Sequence, residues 1–234
     1  RNKCYKWGYF PATKRYDIDA LFAQKSKNER PSILWAGRLI GLKHPDASIL
    51  LAEQLKANGY RFDLNIIGNG AMESQIRAMI REKKLDDCVH MLGGMRPERV
   101  REYMERADIY LFTSDFNEGW GAVLNESMNS GCAVVASHAI GSVPFLVRDG
   151  ENGMIYCNGD ADSLYNKVSY LLDHPLEREK MGKNAYETLT DTWNAETAAE
   201  RLLVLIEQLM DNGSTPFKDG PCSKAEHLKD NWYK

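Results

Sequence analysis

Four charged residues have the types and the spacing to bind a ligand that carries both phosphate and hydroxyl groups. Arg38 and Lys43 are two cations five positions apart, directly after the short apolar run 32–37. Glu118 and Glu126 are two carboxylates with seven residues between them. Cations suit a phosphate, and carboxylates accept paired hydrogen bonds from vicinal hydroxyls. The four residues therefore predict a site for a phosphorylated sugar or ribose.

From Pro31 onward, short apolar runs alternate with amphipathic stretches. This alternation is typical of repeated strand–helix units wound around a parallel sheet. The predicted strands are 32–37, 62–67, 89–92, 109–112, 133–136 and 154–156, and the predicted helices include 72–84, 97–107, 123–129, 162–172, 176–189 and 195–210. We therefore expect an α/β fold with a Rossmann-like, doubly wound parallel sheet.

In such a sheet, ligands bind beside the loops that follow the strands, which we call the carboxyl edge. The third predicted strand leads into Gly93, and the fourth leads into the glycine-containing loop 113–121. Glycines at these places let the backbone come close to a ligand. A helix that begins near Gly121 would add free N–H groups and a positive dipole end beside the two basic residues.

Composition and charge exclude several classes of protein. The 234 residues are 43% hydrophobic, with 30 Lys and Arg against 33 Asp and Glu, which excludes disorder and any charge excess that would attract nucleic acid. No apolar run approaches the roughly 18 to 20 residues of a membrane span. Five separated cysteines and five scattered histidines show no metal-ligand spacing. We predict no metal, no nucleic-acid partner and a reducing, cytoplasmic location.

The segment around the two glutamates resembles a known family. The runs 118–126 (EGWGAVLNE), 131–136 (GCAVVA) and 149–153 (DGENG) are similar to the E-x7-E region of the retaining family-4 glycosyltransferases, the glycosyl transferases group 1. The similarity covers roughly residues 31–210, with a basic pair where the family keeps its diphosphate-binding Arg and Lys. The resemblance implies a GT-B fold, of which this chain would be the C-terminal, donor-binding half.

The resemblance implies a role for each charged residue. Arg38 and Lys43 would hold the diphosphate of a nucleotide-sugar donor such as a UDP-sugar, and Glu126 would hold the ribose hydroxyls. Glu118 would hold the transferred hexose. Glu118, Arg38 and Lys43 would be the catalytic residues, because the two cations stabilise the leaving diphosphate without a metal ion or another cofactor.

The neighbouring residues complete the donor site that the resemblance implies. The backbone of Gly119 and Gly121 would contact the hexose. Trp120 would either stack on the sugar or fill the loop. The base would lie near Gly93.

The chain departs from the family pattern at several uncharged positions. Phe145 stands where a glutamate is common, and Ala133 stands where the family usually has proline. Asn125 and Ser127 are atypical neighbours of Glu126. None of these changes removes a charged ligand-binding position, but Phe145 leaves the identity of the donor sugar open.

The resemblance also implies how the chain is divided. Residues 1–30 would be a linker from an N-terminal half that is absent here, residues 31–210 the nucleotide-sugar-binding domain, and residues 211–234 a linker followed by a helix from Ser223 to Trp232. The absent half would hold a glycan or lipid-linked acceptor in polysaccharide biosynthesis, and any peripheral contact with the inner face of the membrane. The chain alone would then transfer little sugar.

Other functions fit the same residues less well. Two glycosidase carboxylates are disfavoured, because eight steps of ~1.5 Å would put their backbones about 12 Å apart if the segment were helical throughout. The run 68–70 (GNG) lacks the third glycine of a dinucleotide fingerprint. Asp17 and Asp160 belong to D-x-D runs like a known metal motif, but we predict that they cap helices. A non-catalytic nucleotide-sugar-binding module remains as the alternative, since the motifs do not separate it from an enzyme.

Overall fold

A six-stranded parallel sheet forms the centre of the computed structural model, which describes residues 4–211, 213–229 and 231–233. The strands are Ser32–Ala36 (β1), Asp63–Ile67 (β2), Val89–Gly93 (β3), Ile109–Phe112 (β4), Ala133–Ser137 (β5) and Met154–Tyr156 (β6). They lie in the order β3-β2-β1-β4-β5-β6 and all pairs are parallel. The predicted doubly wound, Rossmann-like sheet is confirmed, and the strand order reverses between β1 and β4.

Helices follow the strands and cover both faces of the sheet. They are Ile18–Lys25 (α1), Pro45–Ala57 (α2), Glu73–Glu82 (α3), Pro97–Arg106 (α4), Val123–Asn129 (α5), Val143–Leu146 (α6), Ala161–Asp173 (α7), Pro175–Glu187 (α8) and Ala195–Met210 (α9). Asp17 caps α1 by accepting a hydrogen bond from the Ala20 N–H, and Asp160 caps α7 in the same way. The prediction that these aspartates cap helices is confirmed.

Two apolar clusters, one on each face of the sheet, make up the core. Ile33 and Trp35 belong to one cluster with side chains from α2, α3 and α7, whereas Leu34 belongs to the other with side chains from α4 and α5. Successive side chains of a strand point to opposite faces, which explains this division. Strands β4, β5 and β6 are buried along their whole length, as expected for a parallel sheet covered on both sides.

The helix predicted from Ser223 to Trp232 is wrong for residues 223–229, which are not helical. Residues 222–225 instead run antiparallel to residues 4–6 and are joined to them by three backbone hydrogen bonds of 2.8 to 2.9 Å. We call this pairing the terminal ladder. The Cys222 N–H, the Ser223 carbonyl and the Ala225 N–H are therefore hydrogen-bonded to residues 4–6 rather than within a helix. Residue 230 lies outside the described residues, and residues 231–233 form a turn.

Candidate functional site

The backbone at the carboxyl edge is packed too closely for a side chain at Gly68. Gly37 donates its N–H to the Ile67 carbonyl at 3.0 Å, and Gly68 donates to the Gly93 carbonyl at 2.9 Å. A Cβ on Gly68 would overlap the Gly37 carbonyl oxygen, and the φ of Gly68 is +142°. Only glycine fits this approach. The run 68–70 is thus explained as a tight strand-to-helix turn. These contacts also fix the position of the backbone at Gly37, which precedes Arg38.

Lys43 and Glu118 meet at the switch point between β1 and β4. The Lys43 ammonium forms an ion pair with Glu118 Oε2, which also accepts a hydrogen bond from Ser114 Oγ at 3.0 Å. The two charged side chains are only 16% and 13% exposed. The Lys43 ammonium also lies 5.7 Å from the centroid of the Phe112 ring. The structure therefore brings together one cation and one carboxylate of the predicted site.

The loops that carry this ion pair are joined by hydrogen bonds. Thr113 Oγ1 donates to the Lys43 carbonyl at 2.6 Å and accepts from Trp35 Nε1 at 2.8 Å. The Asp115 N–H donates to the Leu42 carbonyl at 3.0 Å. Sequence reasoning missed these contacts, and the only signal for them was the polar start of the loop 113–121. They fix the backbones from which the ion pair projects.

Arg38 and Glu126 do not join the ion pair in this structure. The Arg38 side chain is exposed and makes no ion pair with any carboxylate of the described residues. Glu126 lies on α5, is half-buried, and its carboxylate has no hydrogen-bond donor among the described residues. Burial raises the pKa of the Glu126 carboxyl above its usual range, and the positive charge of Arg101 opposes this shift. A half-buried carboxylate without a partner is a group that a ligand could satisfy.

We expect Glu126→Gln to raise the melting temperature at neutral pH. Because the pKa of Glu126 is higher in the folded chain than in the unfolded chain, its ionised form opposes folding at any pH above both values. The gain should shrink as the pH falls through the raised pKa and vanish below the ordinary glutamate value of about 4.3. Thermal unfolding between pH 3 and pH 8 measures this. Glu82→Gln, at an exposed carboxylate on α3, serves as the control, and a destabilised Glu126→Gln at pH 7 would contradict the prediction.

The uncharged residues of the predicted site divide into open and packed positions. A Cβ on Gly93 or on Gly119 would meet no atom within 4 Å, so both border open space. Gly121 has a φ of +71°, and a Cβ there would overlap the Phe112 ring. Packing therefore requires a glycine at position 121, whether or not this residue contacts a ligand.

Trp120 points into the domain. Its ring centroid lies 5.5 Å from that of Phe145 and 6.3 Å from that of Trp193, and its Nε1 donates to Asn125 Oδ1 at 2.8 Å. Of the two roles predicted for Trp120, this geometry favours filling the loop. Phe145 completes the same aromatic cluster, which accounts for an aromatic side chain at its position.

A cavity of about 190 Å³ lies next to these loops, between α2 and α7. It is lined by both apolar and polar side chains, among them His44, Leu51, Thr113 and Asp160. None of the four charged residues of the predicted site lines it. The charged side chains of the predicted site therefore do not form this cavity.

The described residues show no metal cluster and no membrane-spanning helix. No three His, Cys, Asp or Glu side chains in this part of the chain are grouped so that they could hold a metal ion. None of its helices is long and apolar enough to cross a bilayer. All five cysteines, each of them in the described ranges, are free thiols.

The sheet order, with loops that converge at the switch point, defines a Rossmann-like domain of the kind that forms the C-terminal half of a GT-B fold. The chain belongs to the family described as glycosyl transferases group 1, whose family model matches residues 17–188.

Curated relatives of the chain include enzymes named for polysaccharide biosynthesis. The amylovoran biosynthesis glycosyltransferase AmsK of Erwinia amylovora is 34% identical over 137 residues, which cover 56% of this chain and 33% of the relative. The putative colanic acid biosynthesis glycosyltransferase WcaL of Salmonella typhimurium is 28% identical over 179 residues, which cover 74% and 44%. The chain thus matches between a third and a half of the length of these relatives.

Solved structures share the fold. HepE of Anabaena in complex with UDP gives a TM-score of 0.67 at 22% identity, covering 83% of this chain and 53% of that chain. The C-terminal domain of the glycosyl transferase group 1 family protein LpcC from Francisella tularensis gives 0.64 at 21% identity, covering 80% of this chain and 96% of that chain. The second match corresponds to a single C-terminal domain.

Proposed function

We propose that this chain is the donor-binding half of a retaining, family-4 type glycosyltransferase that uses a nucleoside-diphosphate sugar. The observation that carries the proposal is the meeting of Lys43 and Glu118, 75 residues apart in sequence, at the switch point of the sheet and on the loops that include Arg38 and Gly119. Membership of the glycosyl transferases group 1 family supports it. The fold shared with a UDP complex supports the choice of ligand.

The proposed chemistry uses the two cations where negative charge develops. As the anomeric bond breaks, Arg38 and Lys43 stabilise the leaving diphosphate more strongly in the transition state than in the ground state. In this proposal they, rather than a metal ion, supply that stabilisation. The acceptor hydroxyl attacks from the face that the diphosphate leaves, and its proton passes to the departing phosphate.

Glu118 then orients the donor and does not act as a nucleophile. Before donor binding, its carboxylate is paired with Lys43. When the diphosphate takes over the Lys43 ammonium, the Glu118 oxygens become available to the hydroxyls of the hexose. The preformed ion pair thus keeps two charges of opposite sign ready without leaving either one unpartnered.

The rest of the reaction is assigned to a part of the protein outside this chain. We propose that this part holds a glycan or lipid-linked acceptor in the cytoplasm and makes any peripheral contact with the membrane. Full-length relatives are two to three times as long as the segment matched here. We expect the isolated chain to bind the donor but to transfer little sugar, and rapid transfer by the chain alone would contradict this division of labour.

A thermal-shift panel of UDP-, GDP- and ADP-sugars tests the proposed function. A ligand present at 100 times its dissociation constant stabilises the folded state by about 2.7 kcal/mol, which a melting curve resolves. We expect one nucleotide to raise the melting temperature of the wild type, and Glu126→Ala to reduce that rise through loss of the ribose contact. If no nucleotide sugar and no nucleoside diphosphate shifts the wild type, the proposed function is wrong.

A further inference from the structure

Two buried asparagines on α5 hold the segment 9–14, which precedes α1, against the domain. Asn125 and Asn129 are 1% and 2% exposed and lie four residues apart, so they share one face of the helix. Asn125 Nδ2 donates to the Tyr9 carbonyl at 3.4 Å. Asn129 accepts from the Lys14 N–H at 2.8 Å and donates to the Lys14 carbonyl at 2.9 Å. Each side chain satisfies backbone groups of a segment that has no regular secondary structure.

The two asparagines differ in their remaining partner. Asn125 Oδ1 accepts from the indole Nε1 of Trp120 at 2.8 Å, whereas Asn129 Oδ1 accepts from the guanidinium of Arg101 on α4. An indole N–H can only donate and a carbonyl can only accept, so the Asn125 amide has one orientation that satisfies both of its partners. Of the two asparagines, it is therefore Asn125 that connects the segment 9–14 with the loop 118–121.

The position of the Trp120 ring is closely defined. A Cβ on Gly8 would lie 2.6 Å from Trp120 Cη2, so the preceding segment touches the edge of the indole. The opposite end of the loop is equally confined, because a Cβ on Gly141 would overlap the Gly119 carbonyl. With both sides fixed, the hydrogen bond to Asn125 selects one rotation of the indole and hence one path for the backbone of the loop.

We propose that Asn125 is a positioning residue that acts through Trp120 to hold the loop 118–121 in the shape that receives the sugar of the donor. The inference rests on the proposed function, which assigns the hexose to Glu118 and to the backbone of this loop. Asn125 touches no ligand itself. Because the diphosphate is assigned to Arg38 and Lys43, loss of Asn125 should weaken only the part of the affinity that depends on the sugar.

The test compares Asn125→Leu with Asn129→Leu, a matched control on the same helix that also loses a contact with the segment 9–14. Calorimetry measures the dissociation constants of the nucleotide sugar that stabilises the wild type and of the matching nucleoside diphosphate. A buried polar group left without its partner corresponds to about a tenfold loss, so we expect Asn125→Leu to weaken the nucleotide sugar about tenfold relative to the diphosphate. Asn129→Leu should leave the ratio of the two dissociation constants, nucleotide sugar to diphosphate, unchanged.

A milder variant tests whether Asn125 acts through the indole. Trp120→Phe keeps an aromatic ring but removes the N–H. It should weaken binding of the nucleotide sugar relative to the nucleoside diphosphate even if Asn125→Leu folds poorly. In the Trp120→Phe background, Asn125→Leu should cause no further change in the ratio, because the contact it acts through is already gone. An equal loss of affinity for nucleotide sugar and diphosphate in Asn125→Leu would overturn the proposal, since a merely structural role would produce that result.

Hydrogen exchange of the Trp120 indole gives a readout that needs no ligand. The Nε1–H resonance is assigned by its absence in Trp120→Phe, and we expect its exchange to be faster in Asn125→Leu than in Asn129→Leu. Unchanged exchange in Asn125→Leu would overturn the positioning role. If the wild type binds no nucleotide sugar, the proposed function fails and the sugar is not assigned to the loop. Indole exchange still decides whether Asn125 holds the loop 118–121 in place.

Discussion

Replacing Arg38 with alanine is expected to weaken the binding of the nucleoside diphosphate by about ten- to a hundredfold, the equivalent of one charge-assisted hydrogen bond. Arg38 is exposed and forms no ion pair with the described carboxylates, so its removal breaks no such contact of the folded chain. The free energy of unfolding should therefore stay nearly constant while the affinity falls. Isothermal titration with UDP, GDP and ADP, together with thermal unfolding of the free protein, measures both quantities.

Arg106→Ala is the matched control for this experiment. Arg106 is also exposed, but it ends α4 and so lies near the amino ends of the strands, away from the loops that carry Arg38. Its loss should change neither affinity nor stability. Lys43→Ala is a poorer test, because it would leave the Glu118 carboxylate without its cation and alter stability as well. An Arg38→Ala protein that binds the diphosphate as tightly as the wild type would remove Arg38 from the donor site.

Trp193→Ala is expected to lower the free energy of unfolding by about 3–5 kcal/mol, the usual cost of deleting a large buried aromatic side chain. Trp193 is 1% exposed, and its ring lies 6.3 Å from Phe10 and 6.1 Å from Phe145, measured between centroids. It also contacts Trp120, so the variant would leave a cavity directly under the loop 118–121. Urea denaturation followed by circular dichroism measures the loss.

Trp7→Ala provides the comparison for Trp193→Ala. Trp7 packs against the same Phe10 ring at 5.2 Å, but it is 47% exposed. Because water already reaches much of the Trp7 ring, we expect its removal to cost less than about 1 kcal/mol. If Trp193→Ala were no more costly than Trp7→Ala, the aromatic cluster under the loop would not be part of the stabilising core.

Those parts of the fold that depend on local pattern could be predicted from the sequence. Strands β4 and β5 are continuous apolar runs because both faces of a parallel sheet are covered, and their predicted bounds agree with the structure to within one residue. The meeting of Lys43 with Glu118 followed from one rule, that the loops at a switch point converge. Neither inference needed knowledge of which side chains touch.

The features that sequence reasoning missed depend on contacts between distant parts of the chain. A short last helix was expected from Ser223 onward, after the turn-rich segment 211–221, but the backbone there pairs with residues 4–6, and nothing within the segment itself reveals such a partner. Asn125 stood out only as an atypical neighbour of Glu126. Its role depends on where Tyr9 and Trp120 lie in space, which helical periodicity does not encode.

The terminal ladder determines how the domain would respond to a force that draws its two ends apart. Cys4 and Ala225 face each other at one end of the ladder, and their segments run antiparallel. Tension applied at these two residues would therefore load the three hydrogen bonds one after another, beginning with the bond between Cys4 and Ala225, instead of loading all three together in shear. Because the ladder joins the two loaded residues directly, it has to open before tension reaches the strands of the sheet.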